Sequence, residues 1–263
     1  PANDEKRNFV KIMNPLGEET SVMRTTLIPN MLDVISTNIS HKVEEVSAFE
    51  CGNTFIPQEG LPIETKKYCV GMYGKEVDFF VLKGVIESVL NNVGLKGYEI
   101  EPETTNLTFH PGRCAKIVYN NIYIGTFGEL HPDVIENYNL GQRVYVAEIN
   151  IDTVFENLNL TKSYNPLPKY PSTSRDIALI VKDEVFVKQI EDIIKANGED
   201  LVESYKLFDV YKGAQIEEGH KSIAYSITYR SKDKTLTDED VAKVHEKILS
   251  ELSEKLNANL RSN

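Results

Sequence analysis

The run "RDIALIVKDEVFVKQIEDIIKANG", Arg175–Gly198, changes its hydrophobic period halfway along. "RDIALIV" alternates apolar and polar residues, the pattern of a strand with one buried face. In "VFVKQIEDIIKANG" the residues Val187, Ile190, Ile193 and Ile194 recur at helical spacing, and Gly198 marks the stop. Two further strands follow, "VESYKLFDVY" and "SIAYSITYR". A helix then begins at the cap residue Thr237, with Asp238, Glu239 and Asp240 in the first turn, where negative charge complements the helix dipole. Its apolar face is Val241, Val244, Ile248, Leu252 and Leu256, and "ANLR" closes the chain as a short edge strand.

The order βαββαβ is that of a ferredoxin-like split unit. Upstream of it, "TKSYNPLPKYPS" holds Pro166, Pro168 and Pro171 without a hydrophobic period, which suits a semi-rigid connector. The expected organisation is a module over 1–160, a linker over 161–171 and a domain over 172–263. In the first module Thr26 is expected to cap a helix bearing Leu27, Met31, Val34 and Ile35, with Pro29 in its first turn. "VSAFECGNTFI" and "YCVGMYG" read as strands. A helix capped by Asp78 carries Leu82, Val85, Ile86, Val89, Leu90 and Val93 and ends at Gly94. "AKIVYNNIYIGTFGEL" reads as a hairpin turning at Asn120 and Asn121, and "RVYVAEINI" as a further strand. Helices with mostly antiparallel strands make this module α+β.

Composition narrows the function. The 263 residues carry a net charge of −11, which argues against broad affinity for nucleic acid without excluding a local contact. The acidity is uneven: 15 Lys+Arg face 18 Asp+Glu after Leu167, against 14 and 22 up to it. No apolar run approaches the roughly 20 residues of a membrane span, and the polar start "PANDEKRN" is unlike a signal peptide. A cytoplasmic protein without membrane contact is expected, and the missing initiator Met suggests a piece of a longer chain. Cys51, Cys69 and Cys114 have no metal-ligand spacing and read as reduced, packed thiols.

Eight pieces, "NPLGEETSVMRTTLIPNML", "AFECGNTF", "FHPGR", "GELHP", "PSTSRDIAL", "LFDVYKG", "EEGHKS" and "KTLTDEDV", run in order over nearly the whole chain. Together they resemble the C-terminal part of the bacterial phenylalanyl-tRNA synthetase β chain. The resemblance implies an antiparallel catalytic-like module related to the class II synthetase core, followed by a ferredoxin-like anticodon-binding domain. It also implies as partners phenylalanine tRNA and a catalytic α chain in an (αβ)2 ligase, with ATP and Mg2+ used by the whole enzyme. A working class II core needs an Arg at the strand motif fRxE to neutralise the ATP α-phosphate. Here Ile56 stands at that place, and "GTFGELHPD" offers no cation where a second Arg is needed, so the fragment is expected to be non-catalytic and without a cofactor of its own. His110 and His131 read as turn or capping residues and Arg113 as a solvated charge.

The site falls in the second domain. Asp209 and Tyr211 are two apart on a strand and share a face. With Phe208 and Val210 toward the helices, that face is the open side of the sheet, where an exposed ring can stack an unpaired base. Such stacking contributes about 1–3 kcal/mol per base and needs no basic protein. The resemblance implies that Tyr211 stacks on the first anticodon base while Asp209 and Ser222 pair with its edge, the carboxylate selecting the G of a GAA anticodon. Lys212 and Lys221 flank the loop, and Arg230, Lys232 and Lys234 alternate before a helix, so these five are the expected phosphate contacts. A small-molecule regulatory domain of the same fold is the competing expectation, resting on fold analogy alone.

Overall fold

The structure is a computed structural model that describes residues 4–161, 164, 166–213 and 215–261. The chain divides into two compact units, Pro1–Ser163 and Tyr164–Asn263. The division falls within the expected connector, of which residues 162, 163 and 165 lie outside the described residues.

The first unit is built on a six-stranded antiparallel sheet. Its strands are β1 (Val46–Ile56), β2 (Ile63–Tyr73), β3 (Glu99–Pro102), β4 (Phe109–Tyr119), β5 (Ile122–Leu130) and β6 (Tyr145–Asn150), in the spatial order β1-β2-β6-β5-β4-β3. Its α-helices are α1 (Ile28–Ser40), α2 (Phe79–Asn92), α3 (Pro132–Asn137) and α4 (Ile151–Glu156). Leu82, Ile86 and Leu90 of α2 pack with Val70 and Ala147, whereas Met31, Leu32 and Ile35 of α1 pack with Cys69 and Val146. Sequence neighbours on a strand point to opposite faces, so α1 and α2 cover the two sides of the sheet. Asp78 caps α2 by accepting from Val81 N at 2.8 Å. Asn120 and Asn121 turn the hairpin with φ of 48° and 63°, both in the left-handed region that Asn tolerates.

The start of α1 departs from expectation. The helix begins at Ile28, and its amide end is closed from β6: Glu148 Oε1 accepts from Leu27 N at 2.7 Å and from Thr26 Oγ1 at 2.6 Å. Thr26 accepts only a longer bond, 3.3 Å, from Ile28 N. A carboxylate outcompetes a hydroxyl there because it carries full charge against the helix dipole. Val34 is 48% exposed, outside the buried face.

The second unit comprises β7 (Thr173–Lys182), α5 (Val187–Asn197), β8 (Val202–Tyr211), β9 (His220–Tyr229), α6 (Asp238–Leu256) and β10 (Asn259–Leu260). The sheet order β10-β7-β9-β8 is antiparallel throughout, as a ferredoxin-like unit requires. Ile190 and Ile194 of α5 and Val241, Val244, Ile248 and Leu252 of α6 close over Ile177, Leu179, Val181, Ile223, Tyr225, Ile227 and Tyr229. The two buried tyrosines keep hydrogen-bond partners: Tyr229 Oη lies 2.9 Å from His245 Nδ1, and Tyr225 Oη donates to Glu191 Oε1 at 3.3 Å. Thr237 accepts from Asp240 N while Asp240 accepts from Thr237 N, a capping box that fixes the start of α6. Both helices pack on the Tyr225 side of β9, which leaves the opposite sheet face without a helix.

Candidate nucleic-acid interface

The register of β8 against β9 decides which side chains reach the helix-free face. Residues paired directly across antiparallel strands share a face. Tyr205 pairs with Ile227 and Leu207 with Tyr225, so both join the core. Strict alternation from Leu207 would send Asp209 and Tyr211 into the core as well. Instead Asp209 pairs with Ala224 and Tyr211 with Ser222, because Phe208 is an extra residue, a β-bulge between Leu207 and Asp209. Asp209 and Tyr211 therefore lie on the open face as expected, but by a route the alternation argument did not contain. Val210, opposite Ile223, points to the helix side as expected. Phe208, the inserted residue, has no partner in the register, and like Val210 it is about half exposed and belongs to no core cluster.

Below these residues the β9 floor of the open face is small. Ser222, Ala224, Ser226 and Thr228 alternate with the core residues of β9, and Asp176, Ala178 and Ile180, the last directly opposite Ser222, continue the floor onto β7. Asp209 is exposed and forms no hydrogen bond or ion pair among the described residues. Ser222 is 4% exposed, so its hydroxyl reaches a base only after the side chains covering it move. Tyr211 is packed on two sides. A Cβ added at Gly213 would come within 2.4 Å of its hydroxyl oxygen, and the Arg261 guanidinium lies 5.5 Å from its ring centroid. Arg261 follows β10, at the opposite edge of the sheet from β8, and is held by donating to Gln215 Oε1 at 3.0 Å.

The five expected cations separate into two groups. Lys212 and Lys221 adjoin Tyr211 and Ser222. Lys212 is ion-paired with Asp183 Oδ2, and Lys221 donates to the Asp183 carbonyl at 2.8 Å. Burial lowers the Lys221 pKa, opposed by Asp183 and assisted by Lys212. Asp183 Oδ1 is buried without a partner among the described residues, beside a cavity of about 470 Å3 lined by Lys212, Glu217, Glu218 and His220. Arg230, Lys232 and Lys234 stand past the far end of β9, with Arg230 eight residues from Ser222 and thus about 26 Å along the strand direction. Arg230 is bound to Glu203 at 2.9 Å and to the Tyr170 carbonyl, and Lys234 to Asp240 at 2.7 Å. Lys232 is exposed and unpaired among the described residues. So is Lys206, on the open face opposite Ser226, which the sequence reading did not select.

In the first unit Ile56 ends β1 opposite Ile63 and is 38% exposed. A guanidinium does lie against the same strand, that of Arg24, but it is engaged: Nη1 donates to Glu50 Oε1 at 2.6 Å and Nε to the Asn53 carbonyl at 3.0 Å. This arrangement does not fit an adenylate-forming site, because the fork is already occupied by a carboxylate. His110 Nδ1 accepts from Gly112 N, and His131 Nδ1 accepts from Asp133 N to cap α3, both turn roles. Arg113 is not merely solvated; it donates at 2.8 Å to Glu129, a carboxylate 4% exposed. Cys69 and Cys114 are buried and Cys51 exposed, all three free, with the Cys114 thiol pushed by burial up to about 12. Among the described residues no helix is long and apolar enough to cross a membrane.

Comparison with known proteins adds the family. Residues 168–261 match the "Ferredoxin-fold anticodon binding domain" and residues 2–151 the "Phenylalanyl tRNA synthetase beta chain CLM domain". Phenylalanine–tRNA ligase beta subunits of Clostridium tetani and of Clostridium acetobutylicum are each 46% identical over 99% of this chain. The chain spans about a third of the length of these relatives, 33% in both. Among solved structures, a pyrrolysyl-tRNA synthetase of Desulfitobacterium hafniense superposes over 59% of this chain and 55% of its own, with a TM-score of 0.47 and 12% identity. The matched regions together cover both units in order, and the chain belongs to the phenylalanyl-tRNA synthetase beta chain family.

Proposed function

We propose that this chain is a non-catalytic portion of a cytoplasmic phenylalanine–tRNA ligase, in which the domain over 172–263 holds the anticodon of phenylalanine tRNA. The observation that carries the reading is the bulge-directed placement of Tyr211 and Asp209 on a helix-free sheet face, over the small β9 residues Ser222 and Ala224. A base stacks on the Tyr211 ring, the free Asp209 carboxylate accepts from the N1 and N2 donors of guanine, and Ser222 completes the edge contact once uncovered. Lys212 and Lys221 meet the nearest phosphates. Arg230, Lys232 and Lys234 meet the same RNA farther along the strand direction, with Lys232 needing no internal ion pair to break. The module over 1–160, joined by the linker over 161–171, packs against a catalytic α chain in an (αβ)2 assembly. That assembly uses ATP and Mg2+, and the Arg24–Glu50 pair and Ile56 support a supporting rather than chemical role for this module.

The test is binding of a phenylalanine anticodon stem-loop RNA to the 263-residue chain and to Tyr211→Ala. The variant is expected to fold normally and to bind roughly tenfold or more weakly. Equal affinity at low salt would remove Tyr211 from the site.

A further inference from the structure

We infer that Arg261 is a latch on the anticodon site: it lies across the open face onto Tyr211 while RNA is absent, and it passes its guanidinium to an RNA phosphate when a base takes the ring. This rests on the anticodon reading above and adds to it a cation outside the five expected ones. The end of β10 places the residue. Leu260 pairs with the core residue Leu179, and the Arg261 amide donates to the Ala178 carbonyl at 2.9 Å, so the ladder runs on one residue past β10. Ala178 lies on the open face, and the residue across from it shares that face. Three strand spacings, roughly 14 Å, separate β10 from β8, so neither side chain spans the sheet alone. Arg261 and Tyr211 span it together. The guanidinium stands 5.5 Å from the ring centroid, and its Nη2 donates at 3.0 Å to Gln215 Oε1, in the loop that follows Tyr211. Between the two backbones lie Ala178 and Ile180 of β7 and Ser222 and Ala224 of β9. Ser222 is only 4% exposed on a face that no helix covers, as a strap above it requires.

The chemistry of the contact lets it be exchanged. Arg261 gives its guanidinium to a neutral amide and a ring, and among the described residues no carboxylate pairs with it, although Asp209 stands free on the same face. Arg230 and Lys234, by contrast, are held by Glu203 and Asp240. A phosphate offers the guanidinium fork two charged hydrogen bonds, whereas a ring offers only its quadrupole. Nor does the latch leave space for a base beneath it. A base between ring and cation needs about 6.8 Å, twice the 3.4 Å stacking distance, and the separation is 5.5 Å. Base and guanidinium therefore exclude each other on this face of the ring, and an arriving RNA brings both the competitor and the new partner.

The experiment measures binding of phenylalanine anticodon stem-loop RNA to the 263-residue chain across a series of salt concentrations, for the wild type, Arg261→Ala and Arg261→Lys. Arg261→Ala is expected to reduce the slope of log affinity against log salt by about 0.7, one single-strand phosphate contact. At high salt, where that contact counts least and the ring is left uncovered, it is expected to bind at least as tightly as the wild type. Arg261→Lys keeps the charge without the planar fork and is expected to restore the slope. In the RNA-free chain labelled with 13C-tyrosine, the Tyr211 ring signal, assigned with Tyr211→Phe, is expected to shift in Arg261→Ala. An unchanged slope in Arg261→Ala, a slope that Arg261→Lys fails to restore, or an unmoved ring signal would each overturn the inference while Tyr211→Ala still binds more weakly than the wild type. Equal binding by Tyr211→Ala, or none by the wild type, would instead sink the anticodon reading and the latch with it. Thermal melting checks folding, and Arg261→Gln, which removes the charge but keeps most of the side chain, carries the test if the alanine variant does not fold.

Discussion

Glu129 shows how much a single side chain can be asked to hold. It is 4% exposed, accepts from Arg113 at 2.8 Å and from Tyr145 Oη at 3.2 Å, and has Arg143 at 3.7 Å. Glu129→Ala strands the Tyr145 hydroxyl and is expected to destabilise the first unit by about 1–3 kcal/mol, the cost of an unsatisfied buried group. Urea unfolding measures it, and the arginines, being partly exposed, are expected to rehydrate. His245 gives a pH-dependent counterpart. Its pKa is lowered from the ordinary 6.5, first by burial and then by Arg175, with Glu246 opposing. Protonation is thus easier in the unfolded chain, so the stability that neutral His245 contributes is full above the unfolded pKa and is lost as pH falls from there through the folded pKa. NMR is expected to place its titration midpoint below 6.5, and melts of His245→Gln are expected to fall less between pH 7 and pH 5 than those of the wild type.

At the scale of elements, α1 is anchored by a residue 120 positions away. Glu148 on β6 closes the helix amide end that neither Leu27 nor Thr26 closes well. Glu148→Ala is expected to lower stability by about 1–2 kcal/mol, visible as earlier amide exchange at Ile28 to Leu32. The hairpin of β4 and β5 depends on local chemistry instead. Asn121 at φ 63° can become Gly with little loss, whereas Asn121→Val is expected to cost about 1–2 kcal/mol in a thermal or urea melt, since a β-branched residue resists the left-handed region. These elements also show how far local signals reach. The asparagine turn, the Asp78 and Thr237 caps and the periodic faces of α2, α5 and α6 were legible because each is written within a few residues. The start of α1 was not, since its cap comes from another strand.

For the molecule as a whole, the net charge of −11 says little about the proposed RNA site, because the excess acid lies mostly before Leu167. What counts is the set of local cations, and most of those are already paired: Lys212 with Asp183, Arg230 with Glu203, Lys234 with Asp240. A modest salt dependence of RNA binding follows, with Lys232→Ala expected to reduce the slope by about 0.7–0.9 if that residue meets a phosphate, and an unchanged slope removing it from the interface. By itself the sequence determined the two-part organisation, the βαββαβ order and, Val34 apart, the apolar helix faces, because period, caps and prolines act locally, while Asp209 and Tyr211 stood out through the family resemblance. The parity change in "YKLFDVY", apolar at Tyr205 and Leu207 and then at Phe208 and Val210, was the one written sign of the bulge. Only the tertiary structure decided that Asp209 and Tyr211 face outward, that Phe208 is the inserted residue, that Ser222 is covered and that Arg261 lies over the Tyr211 ring. Each of these depends on which residue stands across a strand pair or across the sheet, and a partner tens of residues away leaves no period in the chain to read.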